Sequence, residues 1–391
     1  MILYGQSALD WWRTPPVIRD SHVEQEEYRS WVSVHGGLPA SAFKQRQNIC
    51  ENVRVVKKRL LGDLKGIRLP VHVLVDKGAS EPRNDLIVAR RMHADIPKKY
   101  LHDIGGGLWV VTPEVAVISV AYSMGVHRTV ELLDELCGIY GIFNPTGRAL
   151  FAMEHAAAQG LWGPNCAQGQ GVYAFTDEHG RIEPRFTRSG DEIPWQPSFD
   201  RNGSFSNMVK RPPLTTRDNL IAAAHDIKGV RGIEVARKAL PLVVEGSGSP
   251  LETKLVMLLC LPPRYGGEHL ETPYLNRRIS YSPIARCMTD DKSCVADLVW
   301  PDRKVIIEAN GFKFHADRMG FFEMAGRTSA LESMGYTVVD ITYGQMADLT
   351  QFDVKLNRIA SALGLNLRKR TTEFLEKRSE LHEALFENRE E

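Results

Sequence analysis

The six cysteines of this 391-residue chain form no CxxC pair, so their spacing suggests neither a zinc site nor a disulfide framework, and they read as buried thiols. A Walker-type GxxxxGK[ST] and a GxGxxG are both absent, which leaves a nucleotide-binding enzyme of those types without support. The opening MILYGQSALDWWR has no basic n-region and no apolar run of signal-peptide length. Nothing further along approaches the roughly 20 apolar residues of a membrane span. The expectation is a cytoplasmic protein with no membrane partner. Strong net charge is missing too: the formal value is +1, which taken alone argues against nucleic acid as a partner.

The composition that remains, 43% hydrophobic and 25% charged, is that of an ordinary globular chain with room for two or three domains. Its charge is uneven. From Lys44 to Asp103 there are 14 Lys and Arg against 7 Asp and Glu, a local excess of +7, densest in RVVKKRLLGDLKGIRLP. Lys57, Lys58 and Arg59 in that segment either contact phosphates or form the solvated surface of a small domain.

Residues 1–145 read as an N-terminal α/β region, with strands in LPVHVLV, DLIVARRMH and GGGLWVVT. A helix follows in TPEVAVISVAYSM, with Thr112 as N-cap and Pro113 at its first position, and a second in HRTVELLDELCGIYG. Residues 146–214, rich in Gly, Pro, Asn and Ser over most of their length, read as an irregular insertion. Residues 215–245 form a helical connector with two helical patterns separated by Gly229 and Gly232. It is either a helix-turn-helix with Arg231, Arg237 and Lys238 facing DNA, or a helical hairpin closing a core. Residues 246–365 alternate as helix, three strands, helix, strand, a compact α/β unit. The charged tail, 366–391, is a helix with Phe374, Leu381 and Leu385 on one stripe, lying on its own domain or against a protein partner or second copy.

The unusual stretch is VADLVWPDRKVIIEANGFKFH, residues 295–315. Asp297 interrupts an apolar alternation, and a buried strand ends in Glu308 and Asn310. With Pro301 to Lys304 as a four-residue loop, Trp300 pairs with Val305 and the register sets Asp297 opposite Glu308. Like charges directly opposite are unfavourable, which points to a cation between them, Mg²⁺ or Mn²⁺. The competing account is a salt-bridged hairpin with Arg277 or Arg278 of the neighbouring strand as partner. Asn310 lies on the same strand face as Glu308.

These motifs, with SPLETKL before them and Arg327 and ALESMGYTVVDIT after, resemble the PD-(D/E)xK nuclease superfamily, in the branch related to very-short-patch-repair endonucleases. The resemblance covers about residues 215–365. Residues 69–137 are weakly similar to the region resembling abortive-infection antitoxins that often precedes this domain. The resemblance implies a restriction-endonuclease-like αβββαβ core acting as a metal-dependent DNA endonuclease in restriction, repair or defence. It implies that Asp297 and Glu308 hold the metal with the Ala309 carbonyl, and that Asn310 stands in the position where the family has lysine. Lys313 or His315 then supplies the missing charge from the following loop, Glu252 of the first helix reaches the metal, and Arg327 holds a phosphate. Glu252 equally completes a Ser-x-x-Glu capping box with Ser249, Arg327 is equally an exposed helix arginine, and Gln345 is a catalytic addition or a loop glutamine. Neutral Asn310 supports a second function: a non-catalytic, antitoxin-like module that binds DNA or protein through a nuclease-like fold.

Overall fold

The computed structural model describes residues 1–21, 64–75, 83–84, 86–92, 96–162, 195–199, 205–310 and 318–387, the side chains of 83, 84 and 318–324 excepted. The architecture is mixed α/β. Strand β1 (Ile2–Leu3) runs into α1 (Gly5–Arg13) and the short α2 (Pro16–Arg19), followed by β2 (Val71–Val75), β3 (Arg83–Asn84), β4 (Ile87–Arg91), β5 (Leu101–Asp103) and β6 (Trp109–Val111). These strands form one sheet in the order β3-β4-β2-β1-β6-β5. Two-residue β1 holds a central place because it pairs on both sides, Ile2 with Leu74 and with Trp109. Val71, Val73 and Val75 of β2 pack their β-branched side chains into the core in strand alternation, and adjacent Val110 and Val111 of β6 are both buried there.

The two helices expected after β6 are joined in α3 (Pro113–Leu136), with one non-helical residue, Gly125, at φ 72° and ψ 179°. Thr112 stands at the N-cap position but its hydroxyl makes no capping hydrogen bond. Beyond β7 (Tyr140–Ile142), the stretch read as irregular contains α4 (Gly147–Ala158), β8 (Gln196–Phe199) and β9 (Phe205–Lys210). The two strands form a sheet in the order β7-β9-β8. β9 pairs with distant β7, Tyr140 with Lys210 and Ile142 with Met208, which local composition does not reveal.

The connector is α5 (Arg217–Asp226) and α6 (Ile233–Ala239). Leu220, Ala223, Ala224, Ala236 and Ala239 are buried in the main core, so the pair closes a core. Gly232 is required there: a Cβ on it would lie 2.0 Å from the Ile118 carbonyl oxygen of α3. Arg237 is held by Glu234 at 2.7 Å and by the Ala224 carbonyl at 3.0 Å.

Next come α7 (Pro250–Cys260), β10 (Tyr274–Ser280), β11 (Ser293–Trp300), β12 (Val305–Asn310), α8 (Arg318–Ser333) and β13 (Thr337–Thr342). The strands lie side by side in chain order, antiparallel until the crossover through α8 makes β13 parallel to β12. The chain ends in α9 (Tyr343–Ala347), α10 (Leu349–Leu363) and α11 (Thr372–Phe386). Leu381 and Leu385 of α11 are buried in the main core and Phe374 is half-buried, so the tail stripe is covered by its own chain. Buried Arg378 fastens the same helix to Glu268 at 3.0 Å and to Asp353. One hydrophobic cluster thus runs from Leu3 to Leu385, and a smaller one fills the space between the four-stranded sheet and α8. Among the described residues no helix is long and apolar enough to cross a membrane.

Candidate functional site

The geometry of the site begins in the turn between β11 and β12. Pro301–Arg303 make one 3-10 turn and Lys304 adopts φ 53°, closing the four-residue loop. Trp300 pairs with Val305, Val299 with Ile306 and Leu298 with Ile307, so the same register continued by one residue sets Asp297 across from Glu308. The parallel pairing of β12 and β13 puts Asp340 level with Glu308. On the other side, Leu275 pairs with Leu298 and Arg277 with Ala296, so Asn276 falls at the level of Asp297. A polar row of Asn276, Asp297, Glu308 and Asp340 therefore crosses all four strands.

At this row the strands change faces. Cys294 and Ala296 belong to the smaller core, whereas Leu298 and Trp300 belong to the larger one; on β10, Leu275 lies in the larger core and Ile279 in the smaller. The switch is made at Asn276, in the left-handed region at φ 48°, and at Asp297. The interruption of the alternating pattern by Asp297 marks this change of face.

Hydrogen bonds fix each member. The Ala309 backbone N–H donates to Asp297 Oδ2 at 2.8 Å. Arg327 of α8 donates to Glu308 Oε1 at 2.7 Å and to the Val295 carbonyl. Arg277, by contrast, lies over the Tyr274 ring, and the cationic partner of Glu308 is Arg327, not Arg277 or Arg278. Asn310 Nδ2 donates to Asp340 Oδ1 at 3.0 Å.

Glu252 is buried and serves as the cap. Ser249 Oγ donates to one of its oxygens at 2.8 Å, while the Gly248 N–H at 2.7 Å and Asn276 Nδ2 at 2.6 Å donate to the other. Through Asn276 the cap is tied to the polar row. Gln345 likewise completes a capping box with Thr342 at the start of α9, which accounts for it structurally. Lys313, His315, Lys57, Lys58 and Arg59 lie outside the described residues.

The electrostatics follow from this crowding. Burial pushes the Asp297 carboxyl well above the usual range, and the negative charges of Glu252 and Glu308 push it further. Burial likewise raises Glu308, to about 7, with Arg327 opposing the rise and Asp340 adding to it. One guanidinium stands against four carboxylates among the described residues. Among the described residues no group of three or more His, Cys, Asp or Glu side chains is gathered so as to hold a metal ion. The donor types nevertheless fit one: the two central carboxylates are hard oxygen donors, and among the described residues only Arg327 compensates their ionised forms.

Asp340 was missed in the sequence, although it carried the same signal as Asp297, a carboxylate set in an apolar run between Val339 and Ile341. Comparison with protein-family models, curated proteins and solved structures returned no match.

Proposed function

We propose that the chain is a metal-dependent phosphodiesterase acting on DNA, with its reaction centre at the polar row of the four-stranded sheet. The observation that carries this reading is that Asp297 and Glu308, each one residue beyond the paired Leu298 and Ile307, both have carboxyls raised by burial, and that among the described residues Arg327 is the one cation bonded to either. The element order from α7 to β13, helix, three strands, helix, strand, supports a restriction-endonuclease-like core. Asp297, Glu308 and the Ala309 carbonyl would hold Mg²⁺ or Mn²⁺. Such an ion, when bound, polarises the scissile phosphate and lowers the pKa of a bound water.

The chain's own residues have separate tasks. The Ala309 N–H fixes the Asp297 carboxylate in one orientation, and Arg327 does the same for Glu308 while neutralising part of the charge. Asn310, beside Asp340, orients a water or a phosphate oxygen but brings no charge of its own. Glu252 sets the start of α7 against the row through Asn276.

The test incubates the purified chain with circular and linear DNA in Mg²⁺, Mn²⁺ or chelator. Metal-dependent cleavage is expected, lost in Asp297→Asn and Glu308→Gln. Asn310→Ala should lower cleavage roughly tenfold to a hundredfold while leaving metal binding nearly intact. Absence of cleavage with either metal sinks the reading. One arrangement favours a second, non-catalytic reading, a DNA-binding or protein-binding module: Arg327 already occupies Glu308, and no lysine stands at position 310. That module should bind DNA equally well with metal and with chelator.

A further inference from the structure

A cleft of about 580 Å³ opens between the N-terminal sheet and the turn joining α5 to α6. Its volume lies within the range of small-molecule sites. Three arginines line it, Arg90 and Arg91 from the end of β4 and Arg231 from the turn, and among the described residues that line it there is no Asp or Glu. The floor is different in character: Leu74, Ala89, Ile96 and Val230 are apolar, and Tyr4 adds a phenol.

The fold explains why the cations gather here. The buried part of β4 ends after Ile87, and although Arg90 and Arg91 pair with buried Leu74 and Val75 of β2, both arginines are exposed at the end of the strand. The turn is equally well fixed. Gly229 adopts φ 74°, and Gly232 sits so close to the Ile118 carbonyl that the loop between them has little freedom. The Arg231 guanidinium lies 3.8 Å from the centre of the Tyr122 ring. Stacking holds its plane and leaves the N–H edge available to an acceptor, so the group is arranged before a ligand arrives.

Guanidiniums at the rim of an apolar floor suit a ligand with a phosphate at one end and a flat, weakly polar body at the other. We propose that this cleft binds a nucleoside phosphate, free or as one residue of a nucleic-acid strand, with the base on the apolar floor and the phosphate on Arg90 and Arg231. Recognition by side-chain guanidiniums needs neither of the glycine-rich phosphate loops that the sequence lacks. The proposal does not depend on the reaction centre at the polar row.

The experiment measures binding to the full chain in chelator and low salt. The probes are AMP, adenosine, inorganic phosphate and a fluorescein-labelled single-stranded oligonucleotide. AMP should bind more tightly than adenosine or phosphate. Arg90→Ala and Arg231→Ala should each weaken it by about tenfold, the loss of one charge-assisted hydrogen bond. Both arginines are exposed, so the variants should fold, which thermal unfolding checks. Oligonucleotide binding displaced by AMP identifies a strand as the source of the ligand; AMP binding alone identifies a free nucleotide. Glu308→Gln should leave the AMP affinity unchanged, which separates this site from the acid row. Failure of AMP to bind at about 1 mM, or an affinity indifferent to both arginine substitutions, overturns the proposal.

Discussion

Glu308 is subject to opposing demands. Its side chain, 14% exposed, is drawn towards ionisation by Arg327 and towards protonation by burial and by Asp340. Protonation prevails up to about pH 7, against an ordinary value of 4.5. The folded chain therefore binds this proton more tightly than the unfolded chain does. Stability from this group should be full below pH 4.5 and fall as pH rises to 7, by roughly 3 kcal/mol in the absence of metal. A divalent cation holds the carboxylate ionised, so Mg²⁺ should restore stability above pH 7 and do little at pH 5. Glu308→Gln removes the titrating group: in chelator the variant should match or exceed the parent at pH 8, and Mg²⁺ should have no effect on it. Thermal unfolding of both proteins at pH 5 and 8, with chelator and with Mg²⁺, measures this. A variant clearly less stable than its parent at pH 8, with a parent insensitive to Mg²⁺, would mean that Arg327 and Glu308 are simply a structural ion pair, whose breakage leaves a charge stranded.

At the scale of elements, what stabilises α11 is apolar burial. Leu381 has no exposed surface and sits in the main core, so Leu381→Ala should lower stability by about 2–5 kcal/mol. Oligomeric state, followed by light scattering, should not change. Dissociation of an oligomer on substitution would instead assign the stripe to a partner. How far such elements could be read from sequence depended on how local their causes are. The β11–β12 hairpin was legible to the residue, since a four-residue loop and an alternating pattern fix its register. The cap at Ser249 and Glu252 was legible for the same reason, both partners lying within one helical turn. Asp340 was not, because the level of β13 beside β12 is set by the crossover through α8 rather than by a turn. Nor was the role of Asn276, whose left-handed backbone at φ 48° answers to strands and a cap up to 30 residues away. The insertion's strands were hidden likewise, since β9 finds its partner in β7, whereas the break between the two helices of α3 at non-helical Gly125 stands where the sequence divided them.

The molecule as a whole is tied together more closely than its sequence divisions suggest. Arg13 of α1 binds Glu135 near the end of α3 at 2.8 Å, and the same carboxylate accepts from the Ile142 N–H of β7. The Asp134 carboxylate accepts from the Val244 N–H at 2.9 Å, joining α3 to the chain that leads into α7. Main-core residues come from β1, from the connector, from both faces of α7 and from α11, so no break in packing separates the arginine-lined cleft from the acid row. Unfolding should then be a single cooperative transition, because exposing either half strips apolar cover from the other. Mg²⁺ binding only to the folded acid row stabilises by about 2.7 kcal/mol at a hundred times its dissociation constant, and in a shared core that gain should move the whole transition upward. Scanning calorimetry in chelator and in Mg²⁺ is the measurement. The expected record is one peak, displaced intact by the metal at neutral pH. Two resolved peaks, with only one responding to Mg²⁺, would show that the N-terminal sheet and the acid-bearing sheet unfold as separate units.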